Sequence, residues 1–301
     1  MSREREAEAV EGFGKILRDE TSPLKMRFRA LFALRSIITN ESVLAIISAF
    51  ATPSVLLKHE LAYVLGQMQN RTALPFLEKV LRDGSEDEIA RHEAAEAIAT
   101  FGDQSYLRLL QKYSSVEVAQ SRAVAETCEI GAQLISNGGS KESRYGSLDP
   151  ALSAEHQDLG HLRTIYLDEA LSLYERYTAM FGLRDLGTAE AVNVLAEGFY
   201  GKNRSDLFEH EIAFVFGQMS HPASAIHLAK ILADETRHEM VRHECAEALG
   251  SIGTKEAEDA LVAFKDVNNR IIRESVEVGL DIKEYKFSDA SLEYIVENLK
   301  D

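Results

Sequence analysis

Apolar residues recur along most of the chain at positions i, i+3, i+4 and i+7, the pattern of an amphipathic α-helix. Only five prolines interrupt this pattern, and no alternating strand pattern competes with it. Related segments follow one another about every 30 residues, a length that holds two helices and their turns. The pattern therefore predicts an all-α fold, an α-solenoid of about eight helical-hairpin repeats.

The repeats fall into two sets that copy each other. RFRALFALRSI, which starts at Arg27, returns as RYTAMFGLRDL at Arg176, and Gly-Gln-Met at 66–68 returns at 217–219. A segment rich in Gly, Ser and Pro separates the two sets, and such a composition does not sustain a helix. We therefore expect two symmetric halves, an N-terminal half over residues 1–136 and a C-terminal half over 161–301, joined by a linker over 137–160.

Five of the nine histidines are followed directly by glutamate. Four of these pairs occupy equivalent places in the repeats, with a spacing of 33 residues inside each half (92 − 59 and 243 − 210): His59-Glu60, His92-Glu93, His210-Glu211 and His243-Glu244. The fifth pair begins at His238, whose counterpart 151 residues earlier is Asp87 (238 − 87 = 151). We interpret His238 as a helix-start or packing residue and the other four pairs as a registered functional motif.

The register of the helices sets the direction of the four pairs. At about 100° per residue, each pair lies off the apolar stripe that faces the core, so all four should face one surface. Equivalent helices of adjacent repeats lie about 8 to 10 Å apart, so side chains from neighbours can meet on one ion. Two imidazoles plus carboxylate, with no thiolate, suit non-heme Fe(II), although Mn or Zn would also accept this set.

One helical turn after the histidines, the same face carries Tyr63 and Phe214 in one pair of repeats and Glu96 and Glu247 in the other. An acidic face with aromatic walls suits a cationic substrate. Solvated carboxylates, or carboxylates that only support metal ligands, explain the two later glutamates equally well.

Composition narrows the choice of partners and compartment. The net charge of −16 disfavours nucleic acid and anionic membranes as partners, since both require a clustered positive field. The chain has two cysteines, Cys128 and Cys245, and no CxxC pair, which is typical of a reducing compartment. The amino terminus has no apolar core and no run of 18 apolar residues occurs, so we expect a cytoplasmic protein.

These repeats resemble short HEAT-like repeats, and the four registered His-Glu motifs closely resemble those of the deoxyhypusine hydroxylase family over essentially the whole chain. The resemblance implies a monooxygenase with two Fe(II) ions that uses O2 to hydroxylate the deoxyhypusine side chain of eukaryotic translation initiation factor 5A. It also implies one iron on His59, His92 and Glu93 and the other on His210, His243 and Glu244. Glu60 and Glu211 would then bind the substrate amine, and no further catalytic residue is implied.

Two other classes of protein remain open at this stage. A dinuclear metallohydrolase would use the same ligands with a different metal. A HEAT-repeat metal-binding scaffold is the other class. A HEAT-repeat scaffold that only binds partners, or a lyase similar to the phycobilin-attaching family that shares these repeats, would need neither four registered His-Glu pairs nor bound iron.

Overall fold

The computed structural model describes residues 3–155, 158–202 and 204–287. This part of the chain is helical, and the predicted all-α solenoid is confirmed. The first nine helices are α1 Arg3–Arg18, α2 Leu24–Arg35, α3 Asn40–Ser48, α4 Val55–Gln67, α5 Leu74–Arg82, α6 Glu88–Thr100, α7 Leu107–Tyr113, α8 Val116–Ala119 and α9 Arg122–Ser136. The next eight are α10 Leu159–Leu167, α11 Leu173–Leu186, α12 Ala189–Glu197, α13 Asp206–Met219, α14 Ala225–Ala233, α15 Glu239–Ile252, α16 Lys255–Ala263 and α17 Arg270–Phe287.

The four helices that carry the His-Glu motifs begin at side chains that accept a hydrogen bond from the first turn. Ser54 and Ser205 cap α4 and α13, and Asp87 and His238 cap α6 and α15. Such caps satisfy backbone N–H groups that have no partner inside the helix. The interpretation of His238 as a helix-start residue is therefore confirmed.

Helices that follow one another along the chain pack in pairs, and a repeated arginine links the two helices of four such pairs, α1 with α2, α5 with α6, α10 with α11 and α14 with α15. Its guanidinium donates to the backbone carbonyl ten residues earlier, near the end of the preceding outer helix, in each case from a buried position: Arg27 to Leu17, Arg91 to Leu81, Arg176 to Tyr166 and Arg242 to Leu232. This bond satisfies a carbonyl that the helix end leaves without a partner. It thereby holds the second helix of each pair against the first, and in two of the four pairs that second helix, α6 or α15, carries a His-Glu motif.

The two halves keep the same ion-pair site with the charges exchanged. In the first half Lys58 lies 2.7 Å from Glu86. In the second half the equivalent positions, 151 residues later, hold Glu209 and Arg237 at 2.6 Å. Both pairs join the helix of the first motif to the loop before the second, so the attraction survives the reversal of sign.

The two ends of the solenoid meet, so the halves contact each other along two seams. At the first seam α9 packs against α11 and α13, and Ser205 Oγ donates to Glu126 at 2.6 Å. At the second seam α17 packs against α2 and α4, and Ser54 Oγ donates to Glu274 at 2.7 Å. Each seam thus uses the residue that caps the first motif helix of one half and a glutamate from the last helix of the other.

No helix is assigned among the described residues between Ser136 and Leu159. The side-chain amide of Gln67 binds this linker through two hydrogen bonds. Its Nε2 donates to the Leu148 carbonyl at 3.0 Å, and its Oε1 accepts from the Leu148 N–H at 2.9 Å. The division into halves at 137 and 160 stays a prediction, and residues 156, 157, 203 and 288–301 of the predicted linker and C-terminal half lie outside the described residues.

The approach of α15 to α17 requires a glycine at position 250. A Cβ atom placed there would lie 2.2 Å from the carbonyl oxygen of Gly279, which is backbone and cannot rotate away. We expect Gly250→Ala to lower the free energy of unfolding by about 1 to 3 kcal/mol, the usual cost of overpacking a core. Urea denaturation measures this change.

Gly160→Ala is the matched control. Gly160 also lies in a helix but is exposed, and a Cβ atom placed there would meet only the Asp158 carboxylate, at 3.5 Å. Alanine there should be neutral or stabilising by about 0.5 to 1 kcal/mol, because glycine weakens helices. Equal losses in the two variants would mean that the crossing of α15 and α17 tolerates a side chain.

Candidate metal centre

The histidines of all four motifs meet in the interior between the two halves. The ring centroids of His59 and His92, in the first half, lie 5.4 Å apart, and those of His210 and His243, in the second, also lie 5.4 Å apart. Across the halves His59 lies 5.1 Å from His243, and His92 lies 5.2 Å from His210. The histidines of the two halves therefore form one cluster.

Each motif lies off the core stripe of its own repeat, yet the structure buries it. His59 is 5% exposed and His92 is fully buried, and their counterparts in the second half are equally enclosed. The reason is the closure of the solenoid, since the motif face of each half is covered by the motif face of the other. A polar surface in the isolated repeat becomes the interior of the whole molecule.

The buried histidines have almost no hydrogen-bond partners among the described residues. Seven of their eight ring nitrogens lack one: both nitrogens of His59, His92 and His210, and Nε2 of His243. The eighth, His243 Nδ1, lies 3.4 Å from Glu247. Buried imidazole nitrogens normally have a partner, because an unpaired buried polar group costs about 1 to 3 kcal/mol. This set of orphaned nitrogen donors fits metal ions.

Carboxylates complete groups of ligand size. His59, His92 and Glu93 offer one atom each, all within 4.8 Å of one another, and this is the set predicted for the first iron. The second predicted set is looser. His210 Nε2 lies 3.5 Å from Glu244, but the compact groups on that side are His243 with Glu244 and Glu247, and His59 with His210 and His243. The assignment of ligands to each ion stays a prediction.

Burial also sets the protonation of the cluster. It lowers the pKa of all four histidines, so the rings are neutral and can bind a metal. Burial raises the pKa of Glu60 and Glu93 to about 8, and that of Glu247 to about 7. Without a cation, these glutamates therefore hold much of their protons at neutral pH. A bound metal or an ammonium group would displace those protons.

A pocket opens from the cluster to the surface. Six glutamates line it: Glu60, Glu93, Glu96, Glu211, Glu244 and Glu247. Tyr63 and Phe214, predicted as aromatic walls, meet edge to face with ring centroids 6.0 Å apart, one from each half. Their convergence with Glu96 and Glu247 gives a deep acidic pocket.

The sequence analysis missed several lining residues. Tyr145, Gly146 and Ser147 of the linker form one wall of the pocket, and Arg35 lies at its mouth. No local pattern identifies the linker residues, because their place depends on the path of an irregular segment. Arg35 carried a signal that was available, since it recurs as Arg184 at the same position of the repeated segment (184 − 35 = 149).

Fold and cluster together define a HEAT-repeat protein whose interior gathers groups that could hold a metal ion, and the comparisons agree with the HEAT-repeat fold. Residues 10–99 and 43–127 match the HEAT repeats model, and residues 241–266 match the PBS lyase HEAT-like repeat model. The chain is 48% identical to deoxyhypusine hydroxylase from Bos taurus, over 95% of this chain and 94% of the relative. The Homo sapiens enzyme is 45% identical over the same shares of the two chains.

A solved structure of human deoxyhypusine hydroxylase in complex with glycerol matches with a TM-score of 0.89 and 45% identity, covering 94% of this chain and 98% of the other. The chain belongs to the deoxyhypusine hydroxylase family. The predictions that it is an enzyme and that it hydroxylates deoxyhypusine are confirmed by this membership.

Removal of a central imidazole should reduce metal binding. We expect His59→Ala and His243→Ala each to lower the iron bound per chain, because each deletes one of the orphaned donors. His238→Ala is the control. His238 caps α15 and its ring lies 3.2 Å from Glu88, so it belongs neither to the pocket lining nor to a group of ligand size. Metal analysis after reconstitution measures the effect. Equal losses in His238→Ala and His243→Ala would contradict the assignment.

The metal-free protein should lose stability as the pH rises from 6.5 to 8. At pH 6.5 Glu60 and Glu93 keep their protons in the folded chain and lose them only as the pH approaches 8, while in the unfolded chain, with an ordinary pKa of 4.5, they have already lost them. The folded state binds more protons, so its stability falls with pH. The four histidines, whose pKa of 6.5 in the unfolded chain is lowered by burial, oppose this trend near pH 6.5 and little at pH 8.

We expect a loss of about 1 to 2 kcal/mol, or a Tm roughly 3 to 6 °C lower at pH 8. The metal-loaded protein should show a smaller change, because its ligating glutamates are already ionised when folded. Thermal melts of both forms at the two pH values provide the test. A metal-free Tm that is unchanged or higher at pH 8 would contradict these protonation states.

Proposed function

We propose that the enzyme acts on the deoxyhypusine form of translation initiation factor 5A, with two iron ions and O2. The observation that carries this proposal is the meeting of four histidines with orphaned nitrogens beneath a pocket lined by six glutamates. Nitrogen and carboxylate donors without thiolate suit iron. Bound iron would supply the redox chemistry that transfers an oxygen atom from O2 to a carbon of the substrate.

His59, His92 and Glu93 would hold one iron, and His210, His243 and Glu244 the other. The chain contributes pre-oriented ligands, since caps fix the start of all four motif helices and the repeated arginines Arg91 and Arg242 hold two of them, α6 and α15. It also excludes water, because the histidines lie at the bottom of a pocket whose walls come from both halves. These contributions, geometry and a dry site, are what a protein adds to metal chemistry.

Glu60 and Glu211 would bind the amines of the substrate. Deoxyhypusine carries two ammonium groups on a long flexible chain, and each glutamate adjoins a predicted ligand histidine in its own half. Both carboxyl groups are buried and have a raised pKa, so an ammonium partner would ionise them and gain strongly in a site of low dielectric. Tyr63 and Phe214 would pack against the methylene groups between the amines.

The cytoplasm is the compartment in which we place this reaction. Both cysteines are buried and unpaired, as in a reducing environment. Among the described helices, none is both long and apolar enough to cross a bilayer. The protein substrate would reach the pocket through its exposed mouth.

The decisive experiment incubates the iron-loaded protein with the deoxyhypusine form of the factor, a reductant and isotopically labelled O2. We expect the label to appear in the modified side chain, and mass spectrometry of the substrate detects it. Incorporation of oxygen from labelled water, without dependence on O2, would instead indicate a hydrolase. Absence of any reaction with bound iron would leave a metal-binding scaffold.

Neutralising a substrate glutamate should weaken binding of substrate without removing metal. We expect Glu60→Gln to raise KM about 10- to 100-fold, the loss of a charge-assisted hydrogen bond of about 1.5 to 3 kcal/mol. Iron content should remain near that of the wild type. Glu129→Gln, on the exposed side of α9, is the control with the same change of charge. A large loss of iron from Glu60→Gln would make Glu60 a metal ligand.

A further inference from the structure

Arg35 is the only lysine or arginine among the described residues that line the acidic pocket. Six glutamates surround the same space, so the pocket is otherwise suited to cations. A positive side chain at the mouth of a cation-binding pocket opposes the binding of any ligand that places a charge beside it. Its presence therefore needs a physical reason.

The equivalent arginine of the second half shows which partners this residue has when its role is only structural. Arg184, its counterpart in the second half, is 1% exposed. It donates to Asp149 of the linker at 2.7 Å and to Gln218 at 2.8 Å. A buried guanidinium needs such partners, because an unpaired charge in the interior is very costly.

Arg35 has no such carboxylate. Among the described residues it forms no ion pair within 4.0 Å, and its nearest partners are the Gly146 carbonyl at 3.5 Å and the Tyr63 ring at 5.9 Å. The linker contacts both arginines, but its carboxylate Asp149 forms an ion pair with Arg184 and not with Arg35. The guanidinium of Arg35 thus keeps donors available at the mouth of the pocket.

The mouth is where a ligand emerges from the pocket. Phe32, one turn before Arg35 on α2, is 39% exposed, and Gly146, whose carbonyl lies 3.5 Å from Arg35, is also exposed. Glu60 lies deeper, at 8% exposure, yet close enough to Arg35 that the guanidinium opposes the rise of its carboxyl pKa. Arg35 therefore stands between the amine-binding carboxylates and solvent.

We propose that Arg35 determines specificity: it favours a polyamine chain that is attached to a polypeptide over a free polyamine. This inference rests on the proposed function. A deoxyhypusine side chain leaves the pocket as methylenes that end in a polypeptide, whose carbonyl oxygens accept hydrogen bonds from the guanidinium. A free linear triamine carries a third ammonium group there instead, which Arg35 repels. Such a device combines an attractive contact for the correct ligand with a repulsive one for its competitor.

The test uses iron-loaded, full-length Arg35→Ala. It measures KM for the protein substrate and, by calorimetry, the dissociation constant for spermidine. We expect KM to rise about tenfold and spermidine to bind about tenfold more tightly, each a change of about 1.4 kcal/mol. Most of the loss in kcat/KM should fall on KM. Iron content should not change.

The opposite directions separate this role from simple electrostatics. Loss of a repelling cation alone would tighten both ligands, and that result would overturn the proposal, as would an unchanged affinity for spermidine. Arg35→Lys keeps the charge but loses the forked donors, so it should still exclude spermidine while KM rises. Arg108→Ala, an exposed arginine on the outer helix α7, makes the same change of charge and should affect neither value.

The spermidine measurement needs no turnover. A wild-type protein that fails to hydroxylate the factor would refute the proposed substrate, while the change in spermidine affinity would still decide the role of Arg35.

Discussion

The molecule is organised around the enclosure of ionisable side chains in its interior. Four imidazoles and a set of glutamates lie between the two halves, and most of the imidazole nitrogens have no hydrogen-bond partner within the described chain. Desolvation of such groups is unfavourable, so the surrounding structure must hold them in place until a cation compensates them. The capped helices, the repeated arginines and the closed seams supply that rigidity. Pre-organisation of the ligands is thus achieved by the scaffold and not by the ligands themselves.

The protonation of the glutamates links the metal to the substrate. In the metal-free pocket Glu60 and Glu93 share the raised pKa that burial imposes, although one is assigned to substrate and the other to metal. Each would ionise only when its own cation arrives. Because the metal-free pocket keeps these protons, it avoids the strong mutual repulsion that six ionised carboxylates would have in a small volume of low dielectric.

Periodicity was sufficient to predict the helices, because each repeat shows its apolar stripe and its caps within about 30 residues. The four His-Glu motifs could be predicted for the same reason, since their register is local. The burial of His59 and His92 could not, because their faces become interior only when distant helices close the ring. The wall made by Tyr145 and Ser147 was equally out of reach, since an irregular segment leaves no periodic signal of where it packs.

The two seams use the same interactions. At each seam a capping serine donates a hydrogen bond to a glutamate of the other half. That glutamate also forms an ion pair with an arginine one turn earlier on its own helix, Arg122 with Glu126 and Arg270 with Glu274. The ring is therefore equivalent to a head-to-tail homodimer whose two subunits have been fused in tandem. Two identical subunits would have to treat both copies of the arginine alike. In the fused chain a single linker breaks the twofold symmetry. Its Asp149 pairs with the buried Arg184, and Arg35 has no equivalent carboxylate, so its guanidinium can contact a ligand.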